Sequence, residues 1–374
     1  MNAKKILAIL LCVCAVIALA ACSTKPTEKT TDKETVKETS TSGSSEGGKE
    51  VDYKLGMGIV VKMDSSSSEK KNAQVDATVA TVVLGADGKI VDCRIDVAQN
   101  KMNVADGAVD TAKVFESKME LGDRYGMANS PYAPDNNGDN IVKEWYEQAK
   151  AFEQYVVGKT VAEVEAMTTK EVNGHQISTD DALLSAGCTI QITDFRDAVV
   201  KACKDDQGMS FKTDKKFTLG VAVKSTAADS KAATDEADGT VKMYSDFAAA
   251  VVADGKILAA LNDAIQPNIT INVDGEIVET AFKATKRELK EAYGMGGKVN
   301  LDRNGDGIVK EWFEQSKAFS EYVLGKTAEE VKNMKTKDDK GYMISADDAL
   351  LSAGCTIQIT SMCATMSQAA TNAR

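Results

Sequence analysis

The chain has 374 residues, of which 43% are hydrophobic and 27% charged, and it carries a net charge of −11. An acidic balance of this size argues against nucleic acid as a partner and against direct attraction to anionic lipid headgroups. The length beyond the N-terminal segment suits two domains of ordinary size.

The N-terminus sets the expected compartment. Lys4 and Lys5 precede an apolar run from Ile6 to Ala18, followed by Leu19-Ala20-Ala21-Cys22. This charge, apolar and small-residue order is that of a secretory signal over residues 1–21. The run is shorter than the ~20 residues of a membrane-spanning helix. Small residues directly before Cys22 resemble a bacterial lipobox. The resemblance implies cleavage before Cys22 and lipidation of its thiol, hence an extracytoplasmic protein held to the membrane by acyl chains, each buried methylene contributing about 0.8 kcal/mol. Losing Lys4 and Lys5 takes the net charge from −11 to near −13. Residues 22–50 are Ser, Thr, Lys, Glu and Gly with little to bury, and are expected to form a disordered tether. Such a coil spans roughly 30 Å on average and about 90 Å when stretched.

Residues 51–207 and 208–374 read as two copies of one domain, related by adding 167 to the residue number. Ala86-Asp-Gly-Lys-Ile90 recurs as Ala253 to Ile257, Trp145 as Trp312, and Lys143–Thr160 as Lys310–Thr327. A repeat this long is a duplicated domain rather than a solenoid unit. Each copy opens on strands: Leu55–Lys62, Val75–Leu84 and Ile90–Val97, with a turn at Asp87-Gly88. A second turn is expected at Asp106-Gly107, matched by Asp274-Gly275. Trp145, Ala149, Phe152 and Val156 then recur at helical spacing and predict a helix over 143–157, ended by Gly158. Thr160 with Glu163, and Thr327 with Glu330, form capping-box signatures. A short helix near 181–184 leads into the stretch Ser-Ala-Gly-Cys-Thr-Ile-Gln-Ile-Thr, identical at 185–193 and 352–360. Its alternation predicts a strand over Cys188–Thr193 with the threonine on the polar face, and then a helix capped by Asp194 or Ser361. The class is α+β: two tandem homologous domains, each a small antiparallel sheet packed with helices, after the tether.

Candidate chemistry is sparse. Of 8 cysteines, Cys93, Cys188, Cys203, Cys355 and Cys363 remain beyond the lipid site, an odd number that makes no disulfide framework. The one histidine, His175, has Tyr342 at the matching position of the second copy, so no mechanism common to both copies depends on it. No Ser-His-Asp or Cys-His set occurs twice, and the expectation is a carrier or binding protein rather than an enzyme. Asp302, Asn304 and Asp306 stand at positions 1, 3 and 5 of a calcium-loop pattern, matched by Asp135, Asn137 and Asp139, but Phe313 or Tyr146 occupies the closing position. A tight Asx-type turn is the preferred reading there, with no metal.

The early Ala-Asp-Gly-Lys-Ile turn, the Gly-Lys-Thr helix start and the late Gly-Cys-Thr-Ile resemble the FMN-binding domain, as found in tandem on bacterial surface lipoproteins, including those of the major membrane immunogen type. The family's attachment motif reads Asp-x-x-Ser/Thr-Gly-Ala-Ser/Thr, its last hydroxyl bonded to the flavin phosphate. Gly187 and Thr189 match it, as do Gly354 and Thr356. Cys188 and Cys355 stand where alanine is usual, Ala186 and Ala353 replace the first hydroxyl residue, and Leu183 and Leu350 replace the aspartate. The resemblance implies FMN, held covalently at Thr189 and Thr356, a flavin transferase, and a membrane electron donor. The flavin would supply the redox chemistry of an electron-transfer protein. The alternative is a surface binding or structural lipoprotein with no cofactor.

Overall fold

The computed structural model describes residues 49–128 and 142–374. Cys22, nearly all of the expected tether, and the first-copy loop residues Asp135, Asn137 and Asp139 lie outside the described residues. Among the described residues no helix is long and apolar enough to cross a membrane.

The first half opens with strands β1 (Val51–Lys62), β2 (Asn72–Gly85) and β3 (Ile90–Asn103), then helices α1 (Lys118–Leu121), α2 (Trp145–Val156) and α3 (Val161–Glu165). A hairpin follows, β4 (Thr169–Val172) with β5 (His175–Ser178), then α4 (Asp181–Ser185) and α5 (Thr193–Cys203). The second half runs β6 (Met209–Thr213), β7 (Thr218–Thr226), β8 (Gly239–Val241), β9 (Tyr244–Ala253), β10 (Lys256–Ile265), β11 (Asn268–Ile271) and β12 (Ile277–Ala281). It then repeats the helical order: α6 (Lys286–Leu289), α7 (Trp312–Tyr322), α8 (Ala328–Lys332), the hairpin β13 (Thr336–Asp339) and β14 (Tyr342–Ser345), α9 (Asp348–Ser352) and α10 (Thr360–Thr371).

The sheets are antiparallel, ordered β3-β2-β1-β6, β10-β9-β7 and β12-β11-β8. Strand β6, which follows the boundary at 207, pairs with β1 of the first half, Tyr53 opposite Phe211. Alternation decides which side chains go where. Leu55, Met57, Ile59, Val75 and Val79 point from the first sheet into one core with Leu219, Val221, Val223, Phe247 and Val251 of the second. The opposite face of the first sheet (Ala80, Val82, Cys93, Ile95) is covered by Trp145, Phe152, Phe195 and Val199. Ala248, Ala250 and Ala260 meet Phe319, Met362 and Met366 on the other side. The result is helix, sheet, sheet, helix, with the central core shared by both halves. Such layering buries both faces of each sheet, which accounts for long apolar stretches in β2 and β9.

Close approach fixes two glycines. A Cβ on Gly56 would lie 2.1 Å from the Ala202 carbonyl oxygen, and one on Gly220 would lie 1.9 Å from that of Ala369. Each helix therefore rests directly on strand backbone.

The structure corrects several expectations. Cys188–Ile192 and its copy are irregular rather than extended. Helices α5 and α10 start at Thr193 and Thr360, with Ile192 and Ile359 in the cap position and no side-chain cap. Asp194 instead pairs with Lys62 at 2.5 Å. Asp106-Gly107 closes a 3-10 turn with no strand after it, whereas Asp274-Gly275 joins β11 to β12. Val83 lies opposite Leu55 and Val251 opposite Leu219, so β2 and β9 correspond by a shift of 168, because Gly85 has no counterpart before the Asp-Gly turn. The capping boxes at Thr160 and Thr327 form as expected.

Candidate functional site

The repeated stretch is built around a glutamine. Gln148 on α2 is fully buried, and its Oε1 accepts the backbone N–H of Thr189 (2.9 Å) and Ile190 (3.1 Å) and the Thr189 hydroxyl (3.3 Å). Its Nε2 donates to the Lys143 carbonyl at 2.9 Å. In the second half Gln315 accepts from the Thr356 N–H (2.8 Å) and hydroxyl (3.3 Å) and donates to the Lys310 carbonyl (2.8 Å). A chain leaving the sheet ladder must satisfy its buried N–H groups elsewhere, and one side-chain amide does so here.

Gly187 and Gly354 make the turn into that stretch at φ of +90° and +88°. A Cβ there would sit 2.6 Å from the Lys143 or Lys310 Cε, because each ammonium donates to the preceding alanine carbonyl at 2.8 Å. Cys188 and Cys355 are fully buried, and burial pushes both thiols up to about 12, so they stay protonated and unreactive.

The proposed attachment residues are therefore interior. Thr189 is 1% exposed and Thr356 5%. The expected alternation, with threonine on a polar outer face, does not occur, because the segment is not a strand. Neither hydroxyl is presented for a phosphoester, and the residues as they stand do not fit covalent flavin attachment.

A cavity lies beside the first copy of this stretch. It has a volume of about 690 Å³ and is lined by Trp145, Tyr125, Lys118, Asp76, His175 and Gln191, among others. The strand residues Asp76, Thr78, Val97 and Gln99 form its sheet wall. Lys118 Nζ stands 4.8 Å from the Tyr125 ring centre and 5.4 Å from that of Trp145. Sequence reasoning identified Trp145 only as core and missed Lys118, Tyr125 and Asp76. Helical periodicity carries no signal for a cleft wall assembled from two strands and separate helical segments.

The same constellation in the second half is closed. Lys286 Nζ lies 4.9 Å from Tyr293 and 5.2 Å from Trp312, with the Tyr244 ring at 4.9 Å on another side. Burial lowers the Lys286 ammonium to about 8 against the opposing pull of Asp246 and Asp263, and raises those two carboxyls to about 6. Asp96, the first-half counterpart of Asp263, is raised to about 7 by burial, although it accepts from the Met119 N–H at 3.1 Å.

The calcium-pattern residues form a turn. Asp302 accepts the N–H of Gly305 and Gly307, each at 2.9 Å, and Asp306 accepts that of Ile308 at 2.8 Å. Asn304 donates to Asp306 at 3.0 Å. Among the described residues no cluster of His, Cys, Asp or Glu is arranged to hold a metal.

No family model matches the chain, and no solved structure matches it significantly. It is similar to the chlorophenol reductase of Desulfitobacterium hafniense, with 29% identity over 136 residues, covering 32% of this chain and 39% of that protein. The chain thus spans about two fifths of the length of the curated relative it matches. The relative's name is that of an enzyme, and this overturns the expectation of a protein without enzymatic activity.

Proposed function

We propose that the chain is a membrane-anchored extracytoplasmic protein of reductase type, and that the first-half cleft binds its small aromatic ligand. The observation that carries this reading is the cleft itself: Tyr125, Trp145 and Phe195 converge with Lys118, Asp76 and further charged side chains on about 690 Å³ beside the repeated stretch. Small molecules bind in concave sites where precisely placed polar groups fix orientation; this one has a mostly polar lining, with Tyr125, Trp145 and Phe195 as its aromatic faces. The reductase name of the similar protein supports redox chemistry, and the lipobox supports attachment to the membrane, with electrons supplied by a membrane donor.

The chain's own residues would act by position. Trp145 and Tyr125 flank the Lys118 ammonium, and Gln99 accepts the Tyr125 hydroxyl at 3.5 Å, which orients that ring. The Lys62–Asp194 pair and His175 line the same cleft. The test is calorimetric titration of the full chain with a panel of aromatic compounds, FMN among them. Saturable binding that Trp145→Ala removes is expected. Absence of saturable binding across the panel would refute the reading.

A further inference from the structure

We propose that the first-half cleft recognises a hydroxylated aromatic ring, a phenol or phenolate, and that the second half displays the bound arrangement with its own Tyr244 in the ligand's place. This rests on the reading that the cleft is a ligand site.

The two halves hold the same frame. The lysine-to-ring distances are 4.8 and 5.4 Å in the first half, against 4.9 and 5.2 Å in the second. Each tyrosine hydroxyl donates to the matching glutamine, Tyr125 to Gln99 at 3.5 Å and Tyr293 to Gln266 at 3.1 Å. The strand register fixes which residues correspond. Asp76 lies opposite Gln99, and Tyr244 adjoins the Ser245–Ile265 pair, which places it opposite Gln266. Tyr244 therefore stands where the first half has Asp76.

Tyr244 shows how a phenol is held in this frame. Its ring presents a face to Lys286 Nζ at 4.9 Å. Its hydroxyl accepts from that ammonium at 3.3 Å and donates to Asp246 Oδ1 at 3.1 Å. Lys286 is only 7% exposed as a result. A ring face and an oxygen are together the complement of a lysine head.

The first half keeps the frame and lacks the ring. Lys118 is half-buried, and among the described residues no hydrogen bond or ion pair engages its Nζ. Asp76 is held aside by the Gln74 amide at 2.6 Å, and its Oδ1 is buried with no hydrogen-bond partner among the described residues. Thr78 takes the position of Asp246, so Thr78, which lines the cleft, stands at the hydroxyl end of the ring and Asp76 at its foot. A ligand without a hydroxyl leaves the half-buried Lys118 ammonium without its oxygen partner, which weakens binding.

The experiment uses p-cresol, the tyrosine side chain as a free molecule, with calorimetry on the full chain. Wild type is expected to bind one equivalent. Asp76→Tyr transplants the plug and should abolish binding, and Lys118→Met should weaken it about tenfold or more. Tyr244→Ala vacates the second cleft and should add a second equivalent, as an emptied cavity takes the molecule that matches it. The O-methyl ether, 4-methylanisole, should bind at least tenfold more weakly than p-cresol. Equal binding of the ether, or retained binding in a folded Asp76→Tyr chain, overturns the proposal. So does a Tyr244→Ala chain with no added equivalent, a result that does not depend on Asp76→Tyr folding. Binding of FMN without p-cresol would overturn the phenol assignment and leave the cleft as a ligand site. No aromatic binding at all would sink both.

Discussion

Replacing Gln148 by leucine tests why the repeated stretch is held fixed. Leucine has a similar volume and keeps the packing of α2, but it removes the oxygen that accepts the Thr189 and Ile190 N–H groups at 2.9 and 3.1 Å. Gln148 is fully buried, so water does not replace it. Each orphaned buried donor costs about 1–3 kcal/mol, which gives about 2–6 kcal/mol for the two lost in Gln148→Leu. Gln315 accepts one backbone N–H among the described contacts, that of Thr356, so Gln315→Leu should cost about half as much. Urea denaturation followed by far-ultraviolet circular dichroism measures both. A loss below about 1 kcal/mol for Gln148→Leu would show that the amide does not carry the stretch.

Gly187→Ala should cost about 1–3 kcal/mol, because φ of +90° opposes a Cβ while the Lys143 side-chain end can move aside; an unchanged urea midpoint would contradict this. Co-expression with a flavin transferase should leave the intact mass unchanged, since Thr189 and Thr356 are 1% and 5% exposed; a mass gain of one FMN, lost in Thr189→Ala, would contradict the interior placement. Stability should rise as pH falls from about 7 towards 5. Burial holds Asp96 near 7 and Asp246 and Asp263 near 6, so the native chain binds protons there that the unfolded chain, at about 3.9, does not. Asp96→Asn should flatten that slope, and an unaltered slope in unfolding free energy against pH would count against the assignment.

Much of the fold is legible in the sequence. The apolar strands around Asp87-Gly88, the amphipathic stripe of α2 and the Thr160 and Thr327 capping boxes are local patterns, and each forms. The hairpins at 169–178 and 336–345 carry a signal too, Asn173-Gly174 and Lys340-Gly341 with positive φ, that hydrophobic alternation alone passes over. What the sequence conceals is tertiary. Cys188–Ile192 alternates like a strand, yet its N–H groups go to a glutamine 41 or 42 residues earlier, so periodicity misreads it. The central core is shared between sheets from both halves, and no local pattern reports which face of β2 meets which face of β9. The cleft was hidden for the same reason: the meaning of Tyr244 lies in its register against Asp76, visible only once both sheets are paired.

The chain's two tryptophans give the most direct measurement, since Trp145 lines the open cleft and Trp312 lies in the closed one beside Lys286 and Tyr244. Tryptophan emission, excited where phenols do not absorb, is followed during p-cresol titration in Trp312→Phe and Trp145→Phe chains. A saturable change in the chain that keeps Trp145, with none in the chain that keeps Trp312, is the predicted result. Equal responses from both tryptophans, or none from Trp145, would contradict the first-half cleft as the ligand site.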